Sequence, residues 1–177
     1  MNCDSDELRG TRIVARPTVE DDLDWVLAAE QVPTNAFGIT PWSRDDHRDV
    51  VRSPDGSHWM LEASADRRIL GYLIFRGLAS PERSIELKRI VVSEKRRGYG
   101  REGLQLAKQL AFERFSAHRL WLDVFTDNEG AWQLYESDGF TREGILRECW
   151  LDGERYRSLV ILSLLEREYR SQLAGCA

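Results

Sequence analysis

The stretch KRRGYGREGLQLAKQL, residues 95–110, joins three consecutive cations, two glycines one residue apart and an amphipathic run. Apolar residues recur in this run at helical spacing and predict a long helix over 100–115 that packs one face against a core. Glycines before such a helix allow positive φ angles and a close approach of the backbone to a ligand. Free N–H groups and the positive end of the helix dipole lie at the same place. With the cations beside them, the glycines therefore predict an anion site, most naturally for phosphate groups.

The same residues also fit a plainer interpretation, in which the glycines make a tight turn and the cations are solvated. Gly-x-Gly alone is a weak signal, and it is not a Walker loop, because no Gly-Lys-Ser/Thr follows it. Both interpretations stay open on this stretch alone.

The bulk composition is that of a soluble globular protein. The chain has 177 residues and no visible boundary, so we expect a single domain over 1–177. Hydrophobic residues make up 42% and charged residues 31%. The net charge of −5 argues against nucleic acid as a partner, because no basic excess is present to neutralise phosphates. The longest apolar run, 159–165, is too short to span a bilayer, so we expect no membrane partner.

Cysteine and histidine usage bears on location and metal binding. The three cysteines, Cys3, Cys149 and Cys176, are odd in number and lack ligand spacing, so they predict reduced thiols in a cytoplasmic protein. The acidic, polar N-terminus MNCDSDELRG does not resemble a signal peptide, which favours the same location. Because the three histidines are scattered, we expect no metal site.

The order of elements predicts an α+β fold, a mixed but mostly antiparallel sheet with helices on its faces. About seven strands and about four helices are expected from the periodicity. The predicted strands cover 12–18, 58–64, 69–78, 84–92, 119–125, 145–151 and 156–165. The predicted helices cover 19–30, 44–52, 100–115 and 129–138, with Ser43 as a cap for the second.

The strand 84–92, the KRRGYG turn and the helix after it resemble the acyl-CoA-binding motif of the GNAT N-acetyltransferase superfamily. That motif reads Gln or Arg, two residues, Gly, one residue, then Gly or Ala, and Lys95 takes the first position here. Downstream, DVFTDNEGAWQLYESDGF (123–140) resembles the family's second CoA-contacting segment, in which a Tyr follows an Asn by seven residues. The resemblance spans about residues 12–165 and is nearest to the ribosomal-protein and small-amine acetyltransferase types. It implies the GNAT fold.

The resemblance also implies that acetyl-CoA is the co-substrate. Backbone amides of the turn and the first helical residues would hold its pyrophosphate: Arg97, Gly98, Tyr99, Gly100, Arg101 and Glu102. The strand edge at Ile90, Val91 and Val92 would pair with the pantetheine arm and polarise the thioester carbonyl. Asn128 would bond the same arm, although it fits an N-cap for helix 129–138 equally well.

The implied reaction, acetylation of an amine, needs a base and benefits from an acid. A lysine-like amine has a pKa of about 10.4, so a carboxylate must take its proton, directly or through water. Glu86 is the first candidate, although the nearby Lys88 and Arg89 also fit a surface ion pair with it. Asp123, in an apolar strand, is the second, because burying an unpaired charge is costly. Tyr135 is the candidate acid for the departing thiolate, and a core aromatic is the alternative.

The acceptor is a primary amine whose identity the sequence does not give. Phe37 and Trp42, between the first two helices, are candidates to line its pocket. The acidic net charge favours a polycationic amine. A protein N-terminus as acceptor, or a CoA-binding domain without turnover, are the alternatives. The apolar stretch 158–165 is a candidate sheet edge for a homodimer.

Overall fold

The computed structural model describes residues 6–36 and 39–175, which form one eight-stranded sheet with helices on both faces. The strands are β1 (Leu8–Arg9), β2 (Ile13–Pro17), β3 (Gly56–Ala63), β4 (Ile69–Arg76), β5 (Ser84–Val92), β6 (Arg119–Phe125), β7 (Thr141–Asp152) and β8 (Arg155–Leu165). The helices are α1 (Leu23–Glu30), α2 (Pro33–Ala36), α3 (Arg44–Arg52), α4 (Tyr99–Gln109), α5 (Glu129–Ser137) and α6 (Glu166–Gly175).

The sheet has the strand order β1-β2-β3-β4-β5-β6-β8-β7. Its described pairs are antiparallel apart from β5 and β6, which run parallel because α4 crosses between them. The predicted α+β class, a mixed and mostly antiparallel sheet, is therefore confirmed. The described residues contain eight strands and six helices, because the short β1 and α2 and the C-terminal α6 add to the predicted elements.

Local sequence signals explain where several helices begin and end. The Ser43 hydroxyl accepts from the Asp46 amide at 3.2 Å, and the Asp46 carboxylate accepts from the Ser43 amide at 2.9 Å, which caps α3 reciprocally. α5 ends before Gly139, whose φ of +93° is a left-handed conformation that glycine adopts without strain. The helix predicted over 100–115 is α-helical only to Gln109. It then widens into a π turn, Leu110–Arg114.

Two apolar layers hold the helices against the sheet. On one face α4, α5 and α6 cover a larger core that includes Leu61, Phe75, Leu104, Leu120 and Leu162. On the other face α1 and α3 cover a smaller core that includes Val26, Val50, Met60, Tyr72 and Ile74. Each fully buried side chain of this size contributes roughly 1.5–3 kcal/mol, so both layers hold the central strands firmly.

The sheet splits at its centre. β5 and β6 pair over only three residues, from Ser84 opposite Arg119 to Glu86 opposite Trp121. Both strands continue beyond that point, β5 to Val92, but the described residues show no further pairing between them. The facing backbone edges of the two strands are therefore left open, while β4 and β8 hold their outer edges.

A β-bulge in β5 decides which side chains enter each layer. Ile74 lies opposite Arg89, but its neighbour Phe75 lies opposite Leu87, so Lys88 is an extra residue in β5. Strand side chains alternate between faces, and one inserted residue reverses the alternation. Leu87 accordingly packs in the larger core, whereas Arg89 projects toward α1 on the other face.

The outer edge of the sheet corrects one expectation. The stretch 158–165 lies in β8, which pairs with β6 on one side and β7 on the other. The prediction of a free sheet edge there is therefore wrong, because its apolar residues are needed on an interior strand. The edge strand on this side of the sheet is β7, and most of its 12 residues are exposed.

Candidate functional site

A cleft of about 350 Å³, here called the main cleft, lies where β5 and β6 separate. Its walls are residues 87–92 of β5 and 122–124 of β6, and α5 closes one side. Ile90, Val91 and Val92 all belong to the β5 wall. The strand edge expected to pair with an extended ligand therefore faces open space.

The turn before α4 opens into the main cleft. Gly98 precedes the helix with a φ of +80°, and α4 begins at Tyr99. The amides of the first helical turn have no acceptor within the helix. A Cβ placed on Gly100 would meet no described atom within 4 Å, so the space beside it is open to a ligand. Lys95 and Arg96 line the cleft with Gly100, and burial lowers the pKa of Lys95.

Arg12 and Glu102 fix this turn against β2. Arg12 donates from Nη1 to the Arg97 carbonyl at 3.0 Å, and its guanidinium carbon lies 4.9 Å from the Tyr99 ring centroid. The Glu102 carboxylate accepts from the backbone amides of Arg12 and Ile13 at 2.5 and 3.0 Å. These contacts therefore tie the turn and the first turn of α4 to β2.

Two residues predicted to hold phosphate are engaged within the protein. The Glu102 amide donates to the Gly98 carbonyl at 3.2 Å, so the expectation that this amide is a free donor is wrong. The Arg101 side chain donates to the Ser137 hydroxyl at 3.1 Å and lies 3.6 Å from the Asp138 carboxylate. The free donors of the turn are therefore the amides that precede Glu102.

Asn128 and Tyr135 both line the main cleft. Asn128 is the N-cap residue of α5, but its side chain makes no capping hydrogen bond, which disfavours the capping interpretation. Tyr135 packs beside Phe140, with ring centroids 6.0 Å apart. Burial, together with the charge of Asp123, raises the pKa of Tyr135. Its phenol therefore stays protonated at neutral pH and can donate a hydrogen bond.

The two candidate bases occupy different positions. Asp123 lines the main cleft, and 28% of its side chain is exposed. Glu86 accepts a hydrogen bond from Lys88 Nζ at 3.0 Å and does not belong to the cleft lining within the described chain. Lys88 Nζ also lies 4.0 Å from the Asp123 carboxylate. Glu86 thus fits the ion-pair alternative, whereas Asp123 faces the cleft.

A second cavity, of about 80 Å³, meets the main cleft. The two spaces share the lining residues Ile39, Lys88, Arg89, Asp123 and Val124. Trp42, expected to line an acceptor pocket, lies in the second cavity with Phe125 and Trp150. Phe37, the other residue expected there, lies outside the described residues. Asp123 therefore borders both spaces.

Lys88 and Arg89 are residues of the site that the motifs do not indicate. Both border the main cleft and the second cavity. The only sign of them in the sequence is that two cations are adjacent inside the strand SIELKRIVV. Side-chain alternation alone would place these two cations on opposite faces of the sheet. The bulge at Lys88, which the sequence does not mark, is what places both beside the split.

Residues 6–36 and 39–175 contain neither a candidate metal site nor a candidate membrane-spanning helix. No group of three or more His, Cys, Asp or Glu side chains in those ranges could hold a metal ion. No helix in the same ranges is both long and apolar enough to cross a bilayer. Cys149, on the exposed edge strand β7, carries a free thiol.

Comparison with known proteins relates the chain to acetyltransferases. A sequence profile of the acetyltransferase (GNAT) family matches residues 24–140. The uncharacterized N-acetyltransferase YoaA of Bacillus subtilis (strain 168) is 29% identical over 115 residues, 64% of this chain and 65% of that protein. A spermidine N(1)-acetyltransferase of Vibrio cholerae is 27% identical over 106 residues, 59% of this chain and 61% of that protein. In both cases the match spans less than two thirds of the relative's length.

The fold is shared with a solved structure at low sequence identity. The crystal structure of spermidine N-acetyltransferase from Vibrio cholerae in complex with CoA and spermine matches with a TM-score of 0.81 and 20% identity. The match covers 91% of this chain and 99% of that one. At this identity the likeness establishes the architecture alone, and it confirms the fold expected from the two sequence motifs.

Proposed function

Because the chain belongs to the acetyltransferase (GNAT) family, we propose that it transfers the acetyl group of acetyl-CoA to a primary amine between β5 and β6. The observation that carries the proposal is that two spaces, the main cleft and the second cavity, meet at Asp123. Two substrates can approach that carboxylate from different sides. This arrangement suits direct attack in a ternary complex, because both reactants are held together without a covalent enzyme intermediate.

In the proposed complex, acetyl-CoA occupies the main cleft. Its pyrophosphate lies against the free amides of Gly98, Tyr99 and Gly100, at the positive end of the α4 dipole. The pantetheine arm runs along the open edge of β5 at 90–92 and completes it, as an added strand does. An amide of that edge donates to the thioester carbonyl and stabilises the negative charge that develops on its oxygen. Asn128 bonds the arm from the opposite wall.

The proposed chemistry begins with a protonated amine, because an amine pKa of about 10 lies well above neutral pH. We assign removal of this proton to Asp123, which borders both spaces, and not to Glu86, which lines neither of them and lies closer to Lys88 than Asp123 does. The neutral amine attacks the thioester carbon, its nitrogen then loses a second proton to water, and the tetrahedral intermediate collapses to the amide as the C–S bond breaks. Tyr135 donates a hydrogen bond or a proton to the departing thiolate.

A small polyamine is the acceptor class that we propose. The Vibrio cholerae relative is a spermidine N(1)-acetyltransferase, and the solved structure is a complex with CoA and spermine. The second cavity is narrow, and the apolar ring surfaces in its lining suit an alkyl chain, while Asp123 at its junction with the main cleft can attract an ammonium group. The net charge of −5 also favours the approach of a polycation.

Thiol release from acetyl-CoA, measured with a panel of amines at low ionic strength, tests the proposal. Spermidine and spermine should be acetylated faster than neutral amino-acid amides, and added salt should reduce the difference. Equal rates across the panel would contradict the polyamine assignment but not acetyl transfer. Absence of amine-dependent thiol release with every member would contradict the acetyltransferase itself.

A further inference from the structure

A buried carboxylate, Glu30, lies behind the second cavity at the end of α1. None of its side chain is exposed. Burial by itself would raise the pKa of Glu30, but His47 Nε2 at 3.2 Å, the hydrogen bond from Tyr72 and the charge of Arg89 lower it to about 2. Glu30 therefore stays ionised at neutral pH and does not carry protons in the proposed reaction.

Donors from three parts of the chain converge on this carboxylate. The Tyr72 hydroxyl, from β4, donates to Oε1 at 2.5 Å, and the Trp42 backbone amide donates to Oε2 at 2.8 Å. Arg89, from β5, donates to Oε1 through Nη1, and its Nη2 donates to the Thr40 carbonyl. Glu30 thus ties segment 39–42 to the central strands of the sheet.

Segment 39–42 and Arg89 form one wall of the second cavity. Ile39, Thr40, Trp42 and Arg89 all line it, whereas Glu30 lines neither the cavity nor the main cleft. The Arg89 guanidinium carbon lies 4.1 Å from the Trp42 ring centroid, a cation–π contact. The position of the wall is therefore set from behind, through the groups that Glu30 holds.

The bulge at Lys88 makes this arrangement possible. In a regular strand Arg89 would share the face of Leu87 and enter the larger apolar core. A buried guanidinium without a partner there would be very costly. The bulge turns Arg89 toward α1, where Glu30 supplies the opposite charge.

We propose that Glu30 is a positioning residue for the acceptor amine, which it serves by holding Arg89 and segment 39–42 in place. The inference rests on the proposed function, since it assigns the second cavity to the amine. It predicts a larger defect in amine binding than in acetyl-CoA binding, because Arg89 and Ile39 also border the main cleft but the α4 turn and Tyr135 are not partners of Glu30.

Glu30→Gln is the direct test. The amide keeps the size of the carboxylate but turns an NH₂ group toward one set of donors, so at least one hydrogen bond is lost in either orientation. We expect the KM for spermidine to rise about 10-fold or more, which corresponds to one buried hydrogen-bonded contact. The kcat at saturating spermidine and the Kd of acetyl-CoA should stay near wild type.

Two further variants separate positioning from stability. Glu62→Gln is the matched control, because Glu62 is also a buried carboxylate and accepts from Arg16 Nε at 2.6 Å, but it lines neither space. It should lower Tm and leave the spermidine KM unchanged. Glu30→Asp keeps the charge opposite Arg89, so the fold is spared, but the shorter side chain cannot hold all its donors. It should raise the spermidine KM as Glu30→Gln does.

The outcomes distinguish this inference from the proposed function. If the wild-type protein does not acetylate spermidine, the proposed function fails and the role of Glu30 fails with it. If the wild type is active and folded Glu30→Gln and Glu30→Asp keep the wild-type KM, the positioning role alone is overturned. An equal rise in KM in Glu62→Gln would also overturn it, because the effect would then follow lost stability.

Discussion

At the scale of single residues, we expect the hydroxyl of Tyr135 to contribute strongly to kcat. Tyr135→Phe removes the hydroxyl and keeps the ring beside Phe140, so kcat should fall about 10²–10⁴-fold while Tm holds. Tyr169→Phe is the control, because its hydroxyl donates to Glu113 at 2.5 Å outside the cleft. Steady-state kinetics and thermal melting of both variants check this. A Tyr135→Phe variant that melts early but turns over normally would support the core-aromatic alternative.

The choice between the two carboxylates is tested by Asp123→Asn and Glu86→Gln. Loss of the base should lower kcat/KM of Asp123→Asn by about 10²–10⁴-fold at neutral pH. The rate should recover partly as the pH rises, because a larger fraction of the amine is then neutral. Glu86→Gln should stay close to wild type across the same pH profile. A deep loss in Glu86→Gln with an active Asp123→Asn would reverse the assignment.

His58 gives the protein a defined acid sensitivity. Burial, reinforced by the neighbouring His47, lowers the pKa of His58 from 6.5 to about 3. Below pH 6.5 the unfolded chain therefore binds a proton at His58 that the folded chain does not bind. His58 thus costs no stability above pH 6.5, and the free energy of unfolding decreases as the pH falls toward 3. Between pH 6.5 and 5 the free energy of unfolding should drop by about 2 kcal/mol from this group.

Urea unfolding of the wild type and His58→Gln at pH 7.5 and pH 5 measures that contribution. The His58 ring contacts the Thr18 hydroxyl at 2.7 Å and His47 at 3.3 Å, so the variant loses some stability at both pH values. The drop in stability between the two pH values should nevertheless be smaller in the variant. An identical drop in both proteins would mean that other groups cause the acid sensitivity.

The sequence identifies Asn128, Tyr135 and Asp123 as candidates because each has a fixed place in a motif or an apolar strand. It does not rank Asp123 above Glu86, since the ranking depends on where β5 and β6 separate. The pairing of Glu30 with Arg89 is beyond sequence patterns too. The two residues are 59 positions apart, and their contact depends on a β-bulge that no residue in the sequence indicates.

At the scale of elements, the start of α4 is the part that defines the acetyl-CoA site. Gly100→Asp should weaken acetyl-CoA binding about 100-fold or more, because a carboxylate would stand where the pyrophosphate is proposed to bind. The fold should survive, since a Cβ at Gly100 meets nothing within 4 Å. Gly175→Asp, at an equally open position in α6, is the control. Calorimetry measures the affinity for acetyl-CoA, and melting curves show whether each variant is folded. A folded Gly100→Asp variant that binds acetyl-CoA as tightly as wild type would contradict this site.

Element boundaries are predictable where the sequence carries a specific signal. The bounds of β5, β6 and α3 agree with the prediction, because alternation, an apolar run and a Ser cap mark them. The π turn at 110–114 is not marked, since its residues continue the helical periodicity. α6 lacks an apolar stripe, and Tyr169 is the buried residue among its ten. Tertiary packing, not local pattern, determines these two segments.

At the scale of the whole molecule, the edge strand β7 predicts self-association. Ile145, Leu146, Trp150 and Leu151 on this strand are 39–58% exposed, beside unpaired backbone groups. We expect a second copy of the chain to cover it and Leu151→Lys to disrupt the assembly. Leu173→Lys, at a 51% exposed leucine of α6, should not. Light scattering on a sizing column measures this, and a wild-type monomer at all concentrations would contradict it.

The central claim is that acetyl-CoA and an amine meet at Asp123 and react directly. Initial rates with acetyl-CoA and spermidine varied against each other, with product identified by mass spectrometry, test it most directly. The account predicts intersecting double-reciprocal lines and equal amounts of free CoA thiol and acetylated spermidine. Parallel lines, which indicate a covalent acetyl-enzyme, or thiol release without acetylated spermidine, would contradict it.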